Sequence, residues 1–252
     1  MKTIAICNFK GGCGKTTTAY HVGRLMAGHR HKTLLVDLDP QANLTGRFTT
    51  TRWQHTIDSV LGGATAARCS LDQAIRYTEM VDGYLDFVPS SDELANVALG
   101  LLHDVIVGRM ALRRALRSVD AMYDLAIVDC PPEAGILLAN ALFAADGIIL
   151  AAEPEEDALV GARRVVEMAA AVREDRERET PAVIGIVATR IDLRTTRHAA
   201  GVAYLQQHMA TFGPTLSSIP ERNGQLRDQE LTLAYQPVAE AVEQWLKGGD
   251  HA

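Results

Sequence analysis

Lys10-Gly11-Gly12-Cys13-Gly14-Lys15-Thr16-Thr17 follows directly on the apolar run Ile4-Ala5-Ile6-Cys7. A strand, a glycine-rich turn and a helix in that order make a phosphate-binding loop. Gly11, Gly12 and Gly14 permit backbone angles that a Cβ would forbid. Successive N–H groups can then turn inward as a cradle for phosphate oxygens. The helix opening near Gly14 aims its positive end at the same anion. Lys15 supplies a point charge to the outer phosphates, and the Thr16 hydroxyl can ligate Mg²⁺. Lys10, at the first position of the loop, is a second cation that such a loop does not ordinarily need.

Outward from the loop, short apolar runs alternate with helical patterns along the chain. Strands are expected at Thr3–Asn8, Thr33–Asp37, Tyr84–Pro89, Leu125–Asp129, Gly147–Glu153 and Val183–Thr189, with a weaker one near Thr215–Ile219. Most are nearly continuous hydrophobic runs, the pattern of parallel strands covered on both faces. Helices are expected at Lys15–Ala27, Ser91–Leu102, Arg109–Val119, Ile136–Ala145, Glu156–Glu177, Thr196–Thr211 and Pro237–Lys247. The alternation predicts an α/β fold, a doubly wound and mostly parallel sheet, with residues 1–252 as a single domain. Ligands of such sheets bind at the carboxyl ends of the strands. Thr49–Ser70 is the least periodic stretch and reads as a surface excursion. The run Arg173–Glu179 reads as a solvated helix end with i,i+4 pairs.

Two strands end in carboxylates that suit a phosphate site. In Val36-Asp37-Leu38-Asp39-Pro40, the two aspartates differ by two and share a face of an extended chain. Asp39 is placed to orient or deprotonate an attacking water, with Asp37 closer to the metal shell. Pro40 stops the strand and begins a loop that can respond to a terminal phosphate. The strand Leu125–Val128 ends in Asp129-Cys130-Pro131-Pro132, and an apolar strand ending in aspartate is the usual second half of such a site, holding Mg²⁺. Cys130 reads as a small buried hydrophobe.

At 252 residues, 47% apolar and 22% charged, the chain has the composition of a soluble globular domain. A formal charge of −6 means that any nucleic-acid contact must come from a local basic patch. The four cysteines, Cys7, Cys13, Cys69 and Cys130, show neither a C-x-x-C pair nor zinc spacing, which suits a reducing cytosol. No signal-peptide layout and no bilayer-length apolar run is present.

Together, Lys-Gly-Gly-x-Gly-Lys-Thr-Thr, Val-Asp-Leu-Asp-Pro-Gln-Ala-Asn and Ile-Val-Asp-Cys-Pro-Pro resemble the ParA branch of the ParA/MinD ATPases, with a deviant Walker A loop. The resemblance runs from Met1 to about Lys247. Glu156–Gly161 resembles the family's segment after the fifth strand, with Val160 where glutamate is frequent. Thr189–Thr195 resembles its Thr-x-x-Asp-x-Arg-Thr stretch. Ile219-Pro220 resembles the Ile-Pro beside the adenine, with Glu221 where arginine is common. The resemblance implies ATP and Mg²⁺ as ligands, bound by Lys10 to Thr17 together with Thr189 and Pro220. It also implies a homodimer in the ATP state, in which Lys10 reaches the partner's phosphates in the manner of an arginine finger. Lys10, Lys15 and Asp39 would carry a weak ATPase stimulated by a ParB-like or cargo-adaptor protein. Non-specific DNA contact is implied for Arg194, Arg197, Arg222 and Arg227, which fall in the family's basic segments. The implied task is partition or positioning of a plasmid, a chromosome or a protein cargo by a cytoplasmic, nucleoid-associated protein. With the first strand expected at Thr3, no N-terminal helix-turn-helix domain is expected, and hence no sequence-specific repression of its own operon.

Three rivals differ in their requirements. A MinD-like membrane cycler needs a basic amphipathic tail; the tail Pro237–Lys247 carries Glu240 and Glu243 against Lys247 and reads as a packed final helix, so no membrane partner is expected. An iron–sulfur reductase needs two cysteines bridging a cluster at the dimer axis, and Cys130 is too close to Asp129 for that. A tyrosine kinase of related fold carries a C-terminal tyrosine cluster, and none follows Tyr235.

Overall fold

A computed structural model of the chain describes residues 1–48, 53–62, 69–78, 83–103, 108–176, 179–192, 194–220 and 228–248. In chain order the elements are β1 (Lys2–Cys7), α1 (Lys15–Gly28), β2 (Thr33–Asp37), α2 (Thr45–Phe48), α3 (Ile57–Leu61), α4 (Leu71–Ala74), β3 (Arg76–Tyr77), β4 (Leu85–Val88) and α5 (Leu94–His103). A 3-10 turn (Gly108–Met110) then leads into α6 (Ala111–Arg117), β5 (Leu125–Asp129), α7 (Ile136–Ala144), β6 (Gly147–Ala152) and α8 (Glu156–Arg176). The chain closes with β7 (Ala182–Ile191), α9 (Thr196–Gln207), α10 (Met209–Phe212), β8 (Thr215–Pro220), α11 (Asp228–Ala234) and α12 (Gln236–Gly248).

The strands form one sheet in the order β3-β4-β2-β5-β1-β6-β7-β8. Every neighbouring pair is parallel except β3 with β4. Side chains of a strand alternate between faces, and β1 shows how this builds two cores. Its Ala5 and Cys7 join the layer formed by α5 to α8, whereas Ile4 and Ile6 join the layer formed by α1, α11 and α12. All four are fully buried. The central strand is thus apolar on both faces, which is why it reads as an unbroken hydrophobic run. Strand β1 lies between β5 and β6, so the chain leaves it in both directions and opens a crevice at its carboxyl end.

All the expected strands form, and the added β3 is a two-residue edge. Three expected helices are shortened by side chains that capture backbone groups. Helix α5 starts at Leu94 rather than Ser91: the Ser91 hydroxyl oxygen accepts from the Glu93 amide at 3.3 Å, while its proton goes to buried Asp58 at 2.9 Å. The helix expected over Arg109–Val119 divides after Met110. There Asn140 of α7 donates to the Gly108 carbonyl at 2.7 Å and accepts from the Leu112 amide at 3.0 Å. The helix expected over Thr196–Thr211 breaks at His208, whose imidazole bonds the Tyr204 carbonyl at 2.9 Å. One reading needs correction. Part of the supposed excursion Thr49–Ser70 is core: Ile57 and Leu61 of α3 are buried, and the Ile57 amide donates to the Pro89 carbonyl at 2.8 Å.

Candidate functional site

The loop 10–17 crosses the carboxyl end of β1 and runs into α1 with left-handed angles at Gly12 (φ 74°) and Gly14 (φ 89°). Gly14 is also pressed from the sheet side, since a Cβ there would stand 3.0 Å from the Thr189 methyl. The Thr189 hydroxyl donates to the Cys13 carbonyl at 2.7 Å. Thr189 therefore braces the loop from beneath. Asn8, a residue absent from the sequence-based site, fixes where the loop begins. Its amide nitrogen donates to the carbonyls of Ala151 and Ala158, and its oxygen accepts from the Lys10 amide at 3.1 Å. Helix α8 passes so close that a Cβ at Gly161 would lie 2.5 Å from the Asn8 oxygen. The only sequence hint is a polar residue ending an apolar strand just before the glycines.

The Lys15 ammonium is buried and folds back on the Lys10 carbonyl at 3.1 Å, inside the curl of the loop. Beside it, β2 and β5 bring Asp37 and Asp129 into register as neighbours. Both carboxylates are fully buried, and they are not equivalent. One oxygen of Asp37 accepts from the amide and hydroxyl of Thr45 at 2.8 and 2.7 Å, and the other accepts from the Asp39 amide at 3.2 Å. Neither oxygen of Asp129 closes a hydrogen bond of ordinary geometry among the described residues. Burial, above all, raises the pKa of Asp37 to about 6; the bonds from Thr45 and Asp39 oppose it. Burial raises Asp129 further, the Asp37 charge adds to that, and the Thr16 hydroxyl and Lys15 ammonium oppose it. A buried carboxylate with empty lone pairs is costly unless a cation satisfies it. The residues therefore fit a divalent ion held between Thr16 and Asp129, with Asp37 braced behind by Thr45. Asp39 is nearly buried and caps the following turn by accepting from the Gln41 amide at 2.9 Å. A groove of about 380 Å³ opens beside it, between α5 and the Pro131-Pro132 turn.

Lys10 does not point into solvent. Its ammonium sits 3.3 Å from Glu153 and 3.2 Å from Glu155 of its own chain. Burial pulls its pKa down, but these carboxylates outweigh that and hold it above the usual value. Glu153 also accepts from Arg190 at 2.7 Å, and Glu155 faces Arg197 at 3.5 Å and His198 at 3.4 Å. Glu153, Glu155 and Arg190 carry no signal in the sequence, because their partners lie far away along the chain.

Of the residues expected to touch DNA, Arg194 folds back on Asp192 through two contacts at 2.7 and 2.6 Å. Those contacts hold the Asp192 carboxyl down at about 2. Arg222 and Arg227 lie outside the described residues. Pro220 closes β8, paired with Ile191. The final helix α12 buries Val238, Ala239 and Val242 in the layer it shares with α1. Among the described residues no helix is long and apolar enough to cross a membrane.

A family profile described as an AAA domain matches residues 1–180. The chain is 35% identical over 201 residues to a virulence plasmid ParA family protein, pGP5-D of Chlamydia psittaci, covering 79% of this chain and 73% of that protein. The chain belongs to the ParA family of ATPases. The sporulation initiation inhibitor Soj of Bacillus subtilis is 32% identical over 201 residues, covering 77% of this ParA-family chain and 74% of Soj. Among solved structures, cobyrinic acid a,c-diamide synthase from Mycobacterium smegmatis, with a bound ATP analogue and magnesium, superposes with a TM-score of 0.83. That pair is 26% identical and covers 99% of this chain and 97% of the other. An ATP complex of McdA from Cyanothece gives the same TM-score of 0.83 at 23% identity, covering 96% of each chain, and supports the fold.

Proposed function

We propose that the chain binds and slowly hydrolyses Mg²⁺-ATP, dimerises in the ATP state, binds DNA without sequence preference as a dimer, and so partitions or positions a plasmid, a chromosome or a protein cargo. Family membership supports the outline. The observation that carries the chemistry is the pair of buried Asp129 oxygens, which close no hydrogen bond of ordinary geometry among the described residues and are set against Thr16 and Lys15 at the mouth of a glycine cradle.

In this reading the loop amides and Lys15 hold the β- and γ-phosphates, and Thr16 with Asp129 holds the metal. Bound Mg²⁺ would neutralise charge developing on the transferred phosphoryl group. Asp37 orders the shell from behind and is itself held by Thr45. Asp39 orients the water and accepts its proton, and the adjoining groove gives that water a path. Lys10 leaves Glu153 and Glu155 to reach the second subunit's phosphates, so the dimer lasts only while the terminal phosphate does. A partner protein, ParB-like or a cargo adaptor, accelerates the step. Arg194, Arg197, Arg222 and Arg227 form the DNA contact, and dimerisation doubles that patch.

Light scattering with saturating Mg²⁺-ATP tests the core of this. A transient dimer is expected for the wild type, a persistent one for Asp39→Ala, and a monomer for Lys10→Ala. An Asp39→Ala variant that stays monomeric, or turns over rapidly, removes the dimer switch or the catalytic role of Asp39 respectively.

A further inference from the structure

Arg47 occupies a place that the loop motif does not explain. Its guanidinium donates to the Thr17 hydroxyl at 3.2 Å, on the first turn of α1. It lies 5.3 Å over the Tyr20 ring, within cation–π range. Helix α2 holds it there from both sides. Two residues earlier, Thr45 is doubly bonded to Asp37, and one residue later Phe48 stacks on Phe87 with ring centres 4.3 Å apart.

The electrostatics of that place are unfavourable for a cation. Positive charge is disfavoured at a helix N-terminus, and the first turn of α1 carries no acidic residue. Lys15 adds a further positive charge two positions before Thr17. The other arginines near the site have carboxylates: Arg24 with Asp228, Arg190 with Glu153, Arg194 with Asp192 and Arg197 with Glu155. Arg47 faces a hydroxyl and a ring, and no carboxylate among the described residues. A cation held in place at a positive helix end is complemented only when an anion arrives.

Which anion follows from position. Lys15 and Thr16 address the outer phosphates and the metal. Thr17 is the next residue along α1, and the phosphate that Lys15 and Thr16 leave unaddressed is the inner one. We propose that Arg47 binds the inner, nucleoside-linked phosphate of a nucleoside di- or triphosphate, completing the clamp begun by Thr17; this rests on the nucleotide reading above. Through α2 the same arginine is joined to Thr45 and hence to Asp37, so the inner-phosphate contact and the metal side are carried by one four-residue helix.

Calorimetric titration of the full chain with Mg²⁺-ADP and with a non-hydrolysable Mg²⁺-ATP analogue provides the test. Arg47→Ala is expected to weaken both by the same factor, on the order of tenfold for a lost charge-assisted bond. Arg47→Lys should recover most of that loss, and the melting point of the ligand-free protein should not change. Unaltered ADP affinity in Arg47→Ala overturns the proposal, as does a loss confined to the triphosphate. A loss that lysine does not restore, together with a lowered ligand-free melting point, assigns Arg47 a packing role and also overturns it. Should the wild type bind neither nucleotide, the nucleotide reading itself falls and this contact falls with it.

Discussion

The two ends of the nucleotide crevice treat charge in opposite ways. Around β1 and β5, charges are left incomplete among the described residues: neither buried oxygen of Asp129 closes a hydrogen bond of ordinary geometry, and the Lys15 ammonium bonds a carbonyl and a thiol. Around β6, β7 and α9, Lys10, Arg190, Arg194 and Arg197 each have a carboxylate, from Glu153 with Lys10 and Arg190 to Asp192 with Arg194. Incomplete charge inside a protein is held there by the rest of the fold and marks where a ligand finishes the structure. Matched charge near the surface holds segments in place and contributes little to stability. The first end should respond to substitution through ligand binding, and the second through salt.

The contrast breaks most visibly at Lys15. Lys15→Ala should lower Mg²⁺-ATP affinity on the order of a hundredfold, the loss of a charged hydrogen bond in a dry site. A fluorescent-nucleotide titration with unchanged affinity would show that the loop is not a phosphate site.

Next in size is Asp129→Asn. Removing an unsatisfied buried carboxylate should stabilise the ligand-free chain by about 1–3 kcal/mol, while abolishing the Mg²⁺ dependence of nucleotide binding. Denaturant melts showing destabilisation would mean that Asp129 is already satisfied. The same site sets a pH signature. The pKa of Asp37 rises from 3.8 to about 6 on folding, so the folded chain binds more protons between those values. Stability from this group is present in full below pH 3.8 and is lost as pH climbs through about 6. Melts of Asp37→Asn, in which that descent disappears, separate it from other titrating groups.

The smallest effect belongs to the matched end. Asp192→Asn removes the charge that Arg194 folds back on and should leave the denaturation midpoint almost unchanged, because the pair is open to solvent. If Arg194 serves a DNA phosphate, non-specific DNA affinity in this variant should rise several-fold at low salt, and the gain should fade at high salt. Affinity that does not move would take Arg194 out of the DNA surface.

The incomplete end is largely legible from the sequence, and the matched end is not. Gly12, Gly14, Lys15, Asp37 and Asp129 declare themselves because each is tied to a strand end or a left-handed turn within a few residues. The strands are legible for a related reason: a strand buried on both faces has to be apolar throughout, as β1 and β5 are. Asn8, Glu153, Glu155 and Thr45 take their meaning from partners that only the folded sheet brings near. Asn8 bonds carbonyls 143 and 150 residues away. Helix α3 is hidden because five residues show no periodicity, and α11 because its Asp-Gln-Glu opening resembles a loop.

Glu155 faces Lys10, Arg197 and His198 at one carboxylate, and its acid is held below the ordinary range chiefly by the bond from Lys10. One negative charge divided among three claimants binds each of them less firmly than it would bind two. Whatever draws Lys10 away therefore tightens the hold on Arg197 and on the first turn of α9. The loop that grips phosphate and the helix that carries the basic residues thus draw on a common anchor, and neither can be disturbed in private.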